Sequence, residues 1–160
     1  IQTMRNLFLV LAISIATLSI QAQTVRNSCK WDDQVKKKCK HDLKPYHYYA
    51  FKITKITFTA KSQFKEVEVP LFHDANYRFV FNTEGLHQDV KIEIYDKPAS
   101  NSSRKKIYDG TSHERHFVYD PPKNVTHNRI YIDYIIPASN NSDASVVDKG
   151  CVIFYSGFKN

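Results

Sequence analysis

The sequence lacks the motifs that mark most catalytic and metal-binding chains. Its three cysteines do not form the paired Cys-x-x-Cys spacing of a structural zinc site. There is no Asp-x-Asp-x-Asp-Gly calcium loop, and the serine of Tyr155-Ser156-Gly157 lacks the Gly-x-Ser-x-Gly elbow of a hydrolase. No apolar run after Ile20 is long enough to cross a bilayer as a helix. We therefore expect no catalytic residue, metal or cofactor, and predict that the protein is not an enzyme.

Residues 1–22 have the layout of a secretory signal peptide. Met4 and Arg5 precede an apolar run over residues 7–20, which ends in small and polar residues. At about 14 residues the run is shorter than the roughly 20 that a membrane-spanning helix needs. We interpret it as a removed signal, with residues 1–3 an over-extended start and a retained helix as the alternative. The mature chain is then secreted, periplasmic or bound at the cell surface.

The remaining residues suit one domain with one core. We divide them into a helical segment over residues 23–45 and a β-sandwich over residues 46–160. The whole chain has a net charge of +7, and loss of Arg5 with the signal leaves +6. A positive excess favours contact with acidic polymers, anionic lipid headgroups or envelope polysaccharide. Export makes nucleic acid a poor candidate partner.

The helical segment carries two of the three cysteines. Asn27 or Ser28 is a candidate N-cap, and an apolar residue recurs every four positions from Trp31 through Leu43. On a continuous helix Cys29 and Cys39 would lie about 15 Å apart, which is beyond disulfide reach. Because Cys39 lies on the apolar face, we predict a bridge between Cys39 and Cys151. The alternative is that all three cysteines stay reduced.

From residue 46 onward the apolar residues alternate with a period of two, which predicts β-strands. Between residues 48 and 59 the apolar parity switches, and this switch predicts a bulge near Thr54 and Lys55. Pro70 places its strand at a sheet edge or at a strand end. About eight strands with short breaks predict a mostly β fold: an antiparallel two-sheet β-sandwich with one short N-terminal helix.

The strand rhythm between residues 66 and 137 resembles a known family. The matching segments are Tyr77-Arg78-Phe79, residues 89–96, Phe117-Val118-Tyr119-Asp120-Pro121 and residues 129–134. They resemble the pre-peptidase C-terminal (PPC) type of bacterial β-sandwich domain. Gly150-Cys151-Val152 also resembles the final strand of small exported proteins of the Bacteroidetes type. The first resemblance implies an accessory module of the kind found beside an enzyme, and neither implies catalytic residues.

Two groups of residues are candidate binding sites. Tyr46, Tyr48 and Tyr49 beside His47 are suited to stack on sugar rings, because aromatic faces pair with apolar sugar faces. A basic run comprises Lys36, Lys37 and Lys38, and it is a candidate contact for an anionic polymer. The alternatives are core packing for the tyrosines and a solvated helix face for the lysines. A calcium ion held by dispersed loop aspartates (Asp96, Asp109 and Asp120) also stays open.

The function that we expect is an exported, non-enzymatic binding or docking module for carbohydrate or envelope components. One alternative is a structural or assembly subunit whose exposed sheet edges contact another envelope protein. Another alternative is a small secreted hydrolase whose site is assembled in space, since a Ser-His-Asp triad has no fixed sequence spacing.

Overall fold

The computed structural model describes residues 22–72, 75–122 and 127–160, so the predicted signal peptide lies almost wholly outside the described residues. The described chain contains one α-helix, nine β-strands and one turn of 3₁₀-helix (Ser112–Glu114). The helix and strands are α1 (Asp33–Asp42), β1 (Thr24–Asn27), β2 (His47–Thr57), β3 (Gln63–Pro70), β4 (Asn76–Asn82), β5 (Lys91–Tyr95), β6 (Lys106–Thr111), β7 (His116–Tyr119), β8 (Arg129–Ile136) and β9 (Val146–Lys159). In this part of the chain, no helix has the length and apolar character needed to cross a membrane.

The first sheet is built around β9. Lys149 pairs with both Asn27 of β1 and Thr57 of β2, so those two strands lie on opposite sides of β9. The later part of β9 pairs with β2 on one side and with β4 on the other, and β7 then pairs with β4. β1 and β4 therefore share one side of β9. The β1 pairing is parallel, and the other pairings are antiparallel.

Gly85 follows β4 and lies against β9 between β1 and β4. Its carbonyl accepts hydrogen bonds from the backbone N–H of Cys151 at 3.3 Å and from the Ser28 hydroxyl at 2.9 Å. A Cβ atom added to Gly150 would lie 2.1 Å from the Gly85 carbonyl oxygen. Glycine at position 150 is therefore required for this close backbone approach.

The second sheet has the order β3-β8-β5-β6, and all its pairings are antiparallel. Aromatic and aliphatic side chains from both sheets meet between them. The largest fully buried members of this core are Phe58, Phe79, Phe81, Phe154, Ile56, Ile92, Ile94, Ile130, Ile132 and Tyr134. The predicted class, a mostly β two-sheet sandwich with one helix, is confirmed. β3 lies at an edge and ends at Pro70, as the proline predicts.

Helix α1 forms a third layer on the outer face of the first sheet. Val35, Cys39 and Leu43 pack against a second apolar cluster on that sheet, which includes Val80, Ile153 and Tyr155. Strands β4 and β9 are consequently covered on both faces. Such strands have apolar residues at both parities.

The bulge predicted near Thr54 and Lys55 is wrong. The register between β2 and β9 is continuous from Ala50 to Thr57, and the only shift in this pairing lies between Tyr48 and Ala50. Ile53 packs with the helix-side cluster, whereas Ile56 belongs to the core between the sheets. The parity switch arises because both faces of the strand are covered, and no inserted residue is needed.

The helix begins later than the sequence predicts. Asp32, not Asn27 or Ser28, is the N-cap, and its side chain accepts a hydrogen bond of 2.9 Å from the Val35 N–H. Asp33 in the first turn and Lys40 in the last complement the helix dipole. Cys29 therefore precedes the helix and lies in the short segment that joins β1 to α1.

The disulfide joins Cys29 to Cys151, with a Cα–Cα distance of 5.0 Å. The predicted pairing of Cys39 with Cys151 is wrong. Asn27 pairs with Lys149 in a parallel register, so Cys29 lies level with Cys151 two residues further along. Cys39 remains a free, fully buried thiol in the helix-side cluster. Its burial, followed by the nearby charge of Asp42, raises the pKa of Cys39 to about 11.

Candidate functional site

Four aromatic side chains meet on the outer face of the first sheet, beside α1. Trp31 lies just before the helix, Tyr48 and Phe51 come from β2, and Tyr155 comes from β9; we call this group the aromatic face. Phe51 stacks on Trp31 with ring centroids 5.0 Å apart and on Tyr155 at 5.5 Å. Tyr48 lies 5.9 Å from Tyr155. The four rings thus hold one another in place.

The aromatic face is open to solvent although it is well packed beneath. Tyr48 and Phe51 are each 46% exposed, whereas Tyr155 is 1% exposed and forms the floor of the group. Burial raises the pKa of Tyr155 to about 12, so its hydroxyl stays protonated at neutral pH. The exposed rings of Tyr48 and Phe51 therefore lie on a buried, uncharged aromatic floor.

Two lysines of α1 lie over rings of the aromatic face. The Lys36 ammonium is 5.1 Å from the Trp31 ring centroid, and the Lys40 ammonium is 5.3 Å from that of Tyr48. Both distances are within the range of a cation–π contact. Lys36 also lies 3.1 Å from the Asp33 carboxylate, so part of its charge is balanced locally.

The predicted site residues do not form one site in the structure. Tyr48 and Lys36 belong to the aromatic face, and Lys37 is exposed on α1. Lys38 instead forms a 3.1 Å ion pair with Glu84. The predicted lysine run therefore contributes one member to the face itself.

The other predicted aromatic residues lie elsewhere. Tyr46 is held between two cations: Arg78 and Lys159 lie 4.8 Å and 4.6 Å from its ring centroid. Tyr49 lies at the register shift between Tyr48 and Ala50, and its ring centroid is 4.7 Å from that of Phe72, in contact with the core between the sheets. His47 is exposed, with its ring centroid 6.4 Å from that of Phe158. These residues are neighbours in sequence but lie apart in the structure, because side chains alternate along β2 and the register shifts at Tyr49.

Sequence reasoning missed Trp31, Phe51 and Tyr155 as members of a common surface. One signal was present: Phe51 and Ile53 share a parity opposite to that of Ile56, which indicates a strand with two covered faces. The sequence does not show that the helix covers the second face of β2. That arrangement depends on the pairing of β2 with β9, which lies about 100 residues further along the chain.

The interior offers little room for a ligand. An apolar cavity between the sheets, lined by Leu71, Phe79, Ile94 and Ile130 among others, has a volume of about 10 Å³. That volume corresponds to about one water-sized sphere. Within the described ranges, no group of three or more His, Cys, Asp or Glu side chains is arranged to hold a metal ion.

A row of carboxylates crosses the outer face of the second sheet. Glu66, Asp133, Glu93 and Asp109 are consecutive cross-strand neighbours from β3 to β6. Arg104 donates to Asp133 at 2.6 Å, while Lys91 and Lys106 pair with Glu93 and Asp109. The row is an internally paired ion network, and its cations cover the carboxylates that a ligand would need.

A histidine and a carboxylate also meet at the end of α1. His116 Nε2 lies 2.7 Å from the Asp42 carboxylate, which resembles part of a hydrolase triad. Asp42 has a lowered pKa, chiefly because of its hydrogen bond with His41. The nearby thiol of Cys39 is fully buried and has a raised pKa, so it is a poor nucleophile. The pair instead links α1 to β7.

Comparisons with known proteins identify no family. No family model matches the chain, and no curated protein matches it. Among solved structures, the mitogen from Yersinia pseudotuberculosis is 10% identical, with a TM-score of 0.37 over 68% of this chain and 85% of that chain. A structure of the Gx strain of infectious bursal disease virus is 12% identical, with a TM-score of 0.25 over 69% of this chain and 32% of that chain. Likenesses this distant carry no functional argument, and the resemblance to PPC-type domains stays a prediction.

Proposed function

We propose that this protein is an exported, non-enzymatic module that binds polysaccharide through the aromatic face. The observation that carries this proposal is the exposure of Tyr48 and Phe51, each 46%. Phe51 is held by stacking on Trp31 and Tyr155, and Tyr48 is held by a tilted contact with Tyr155. Exposed aromatic side chains bury much apolar area on binding. Because these rings are already ordered, binding costs them little conformational entropy.

The chemistry of the surface suits sugar rings. The apolar face of a pyranose packs against an aromatic ring, and its hydroxyls need polar partners at the rim. Lys36 and Lys40, whose ammonium groups lie over the Trp31 and Tyr48 rings, supply donors for these hydroxyls. A ligand that is apolar on one face and polar at its edges therefore matches this surface.

Export is part of the proposal. The disulfide between Cys29 and Cys151 supports an oxidising compartment, since such bonds are rare in proteins of the reducing cytosol. The signal-peptide interpretation of residues 1–22 agrees with it and stays a prediction.

A protein partner bound at a sheet edge is the alternative, and the edges give it less support. The edge strand β2 carries the register shift beside Tyr49 and the exposed lysines Lys52 and Lys55. The edge strand β3 ends in Pro70. Bulges, lysines and prolines are features that oppose strand addition at an edge.

Affinity electrophoresis in gels that contain different polysaccharides tests the proposal. We expect at least one polymer to retard the protein and the Phe51→Ala and Tyr48→Ala variants to lose about tenfold in affinity, equivalent to about 1.4 kcal/mol. The matched control is Phe64→Ala, because Phe64 is 50% exposed on the other sheet.

Equal retardation of the Phe51→Ala variant and the wild type would contradict the proposal. If no polysaccharide retards the protein and one envelope protein is captured stably, the alternative of a protein partner bound at a sheet edge is favoured.

A further inference from the structure

A groove lies on the same outer face of the first sheet, beyond the aromatic face. It has a volume of about 360 Å³, and we call it the lysine groove. Its lining consists of Asn27, Cys29, Lys55, Ile56, Thr57, Lys149 and Gly150. A wider groove of about 720 Å³ extends toward the loop before β9 and shares Thr57 and Lys149 with the lysine groove.

Strand β2 connects the aromatic face to the lysine groove. Side chains two apart along a strand point to the same face, so Lys55 and Thr57 follow Phe51 on the outer side of the sheet. Ile53, between them, packs with the helix-side cluster and confirms this orientation. Phe51 and Thr57 are six residues apart, a span of about 20 Å at 3.3 Å per residue.

Two lysines from neighbouring strands lie together in the groove. Thr57 pairs directly with Lys149, and Lys55 pairs with Cys151, so the two lysines occupy diagonal positions across β2 and β9. Such diagonal neighbours are about 7–8 Å apart at their backbones. Both ammonium groups can therefore approach one anionic group.

The charge of this pair is not balanced locally. The lining of the groove contains two lysines and no carboxylate. Among the ion pairs of the described residues, none involves Lys55 or Lys149, and the nearby Asp148 is already bound by Arg26 at 2.6 Å and 2.8 Å. A ligand that enters this groove meets uncompensated positive charge.

We infer that the lysine groove is an acid-group subsite and that the bound polysaccharide is anionic. Sugar rings stack on the aromatic face, and a carboxylate or sulfate further along the same chain binds between Lys55 and Lys149. More than one sugar unit is required, because this acid group lies four to six residues along β2 from Phe51, a span of about 13–20 Å at 3.3 Å per residue. This inference rests on the proposed function and adds the chemical class of the ligand.

The test compares acidic polysaccharides with their own neutral derivatives. Polyuronates and sulfated glucans are paired with carboxyl-reduced or desulfated forms of the same polymer, so the sugar backbone is matched. We expect the acidic form to bind more tightly, and the Lys55→Gln/Lys149→Gln variant to lose about tenfold in affinity for it in 0.15 M salt. Its affinity for the neutral form should stay unchanged.

The control is Lys97→Gln/Lys105→Gln, which removes the same charge from the loop between β5 and β6. Equal binding of the acidic and neutral forms, or equal losses in the two double variants, would overturn the inference and leave the proposed function standing. If Phe51→Ala leaves the affinity for both the acidic and the neutral form unchanged, the proposed function itself is contradicted. A further arm uses phosphatidylglycerol vesicles: lysine-dependent binding to vesicles without binding to any polysaccharide would overturn the inference in favour of a lipid surface.

Discussion

Asp133 is a buried carboxylate in which only one of the two oxygens is paired. Its side chain is 1% exposed, its Oδ2 accepts from Arg104 at 2.6 Å, and its Oδ1 has no hydrogen-bond partner. Burial, reinforced by the neighbouring Glu66, raises the pKa of the Asp133 carboxyl, although Arg104 opposes the rise. Glu93, its cross-strand neighbour, differs: despite its burial, hydrogen bonds from Lys106, Lys91 and Tyr95 lower its pKa to about 2.

Replacing Asp133 with asparagine is expected to stabilise the protein increasingly as the pH rises. A carboxyl with a raised pKa binds more protons in the folded state than in the unfolded state. Its contribution to the free energy of unfolding is therefore fully present when the pH is below the ordinary carboxyl pKa near 3.8. That contribution is lost as the pH rises through the pKa of the folded state. Asparagine keeps an oxygen for Arg104 and avoids the buried charge. At pH 7 we expect Asp133→Asn to raise Tm by about 2–4 °C, corresponding to about 1 kcal/mol.

Thermal unfolding at pH 4, 5, 6 and 7 measures this effect, with Glu68→Gln as the exposed control. A Tm difference between Asp133→Asn and wild type that stays constant over this range would show that the Asp133 carboxyl has no raised pKa.

The individual site residues were only partly predictable from sequence. Tyr48 was identified, but the sequence placed it with Tyr49, which contacts Phe72 at the core between the sheets instead. The direction of adjacent side chains depends on the register shift between Tyr48 and Ala50. That shift is set by pairing with β9, which local sequence does not encode.

At the scale of elements, the sequence predicts the longer strands well and the N-terminal segment poorly. Strands such as β5 and β8 alternate between core and outer face, and their periodicity identifies them. β1 has four exposed residues and no alternation of burial, so nothing local distinguishes it. β1 is a strand only because it pairs with β9, about 120 residues away. The disulfide prediction failed for the same reason, since this pairing is what brings Cys29 next to Cys151.

The disulfide is expected to contribute strongly to stability, because Cys29 and Cys151 are separated by 122 residues. Closing a loop of this size reduces the entropy of the unfolded chain and stabilises the fold by roughly 3–5 kcal/mol. We expect Cys29→Ser/Cys151→Ser to lower the free energy of unfolding by this amount in urea titrations. Cys39→Ala, which leaves the bridge intact, should cost about 1 kcal/mol.

Peptide mapping without reduction provides the matching chemical check. A digest in which Cys39 is linked to Cys151 would contradict the observed pairing. So would a Cys39→Ala variant that loses as much stability as the double serine variant.

At the scale of the whole molecule, the spacing of strands and turns predicts the sandwich but not its third layer. The helix was expected as a short N-terminal element, and its apolar stripe through Val35 and Cys39 was recognisable. The sequence does not say which sheet covers that stripe. Because α1 covers part of the first sheet, the rings of the aromatic face collect beside it, and Lys55 and Lys149 remain in an open groove further along.

Binding of polysaccharide at the aromatic face can be followed with a fluorescent probe that the chain already carries there. Trp31 is the single tryptophan in the sequence, and it stacks on Phe51 at 5.0 Å. The most direct measurement is therefore a titration of tryptophan fluorescence with a polysaccharide that retards the protein. We predict a saturable change in intensity or wavelength that is lost in Phe51→Ala and retained in Phe64→Ala. Binding of the polymer with no change in Trp31 fluorescence would show that the polysaccharide does not bind at the aromatic face.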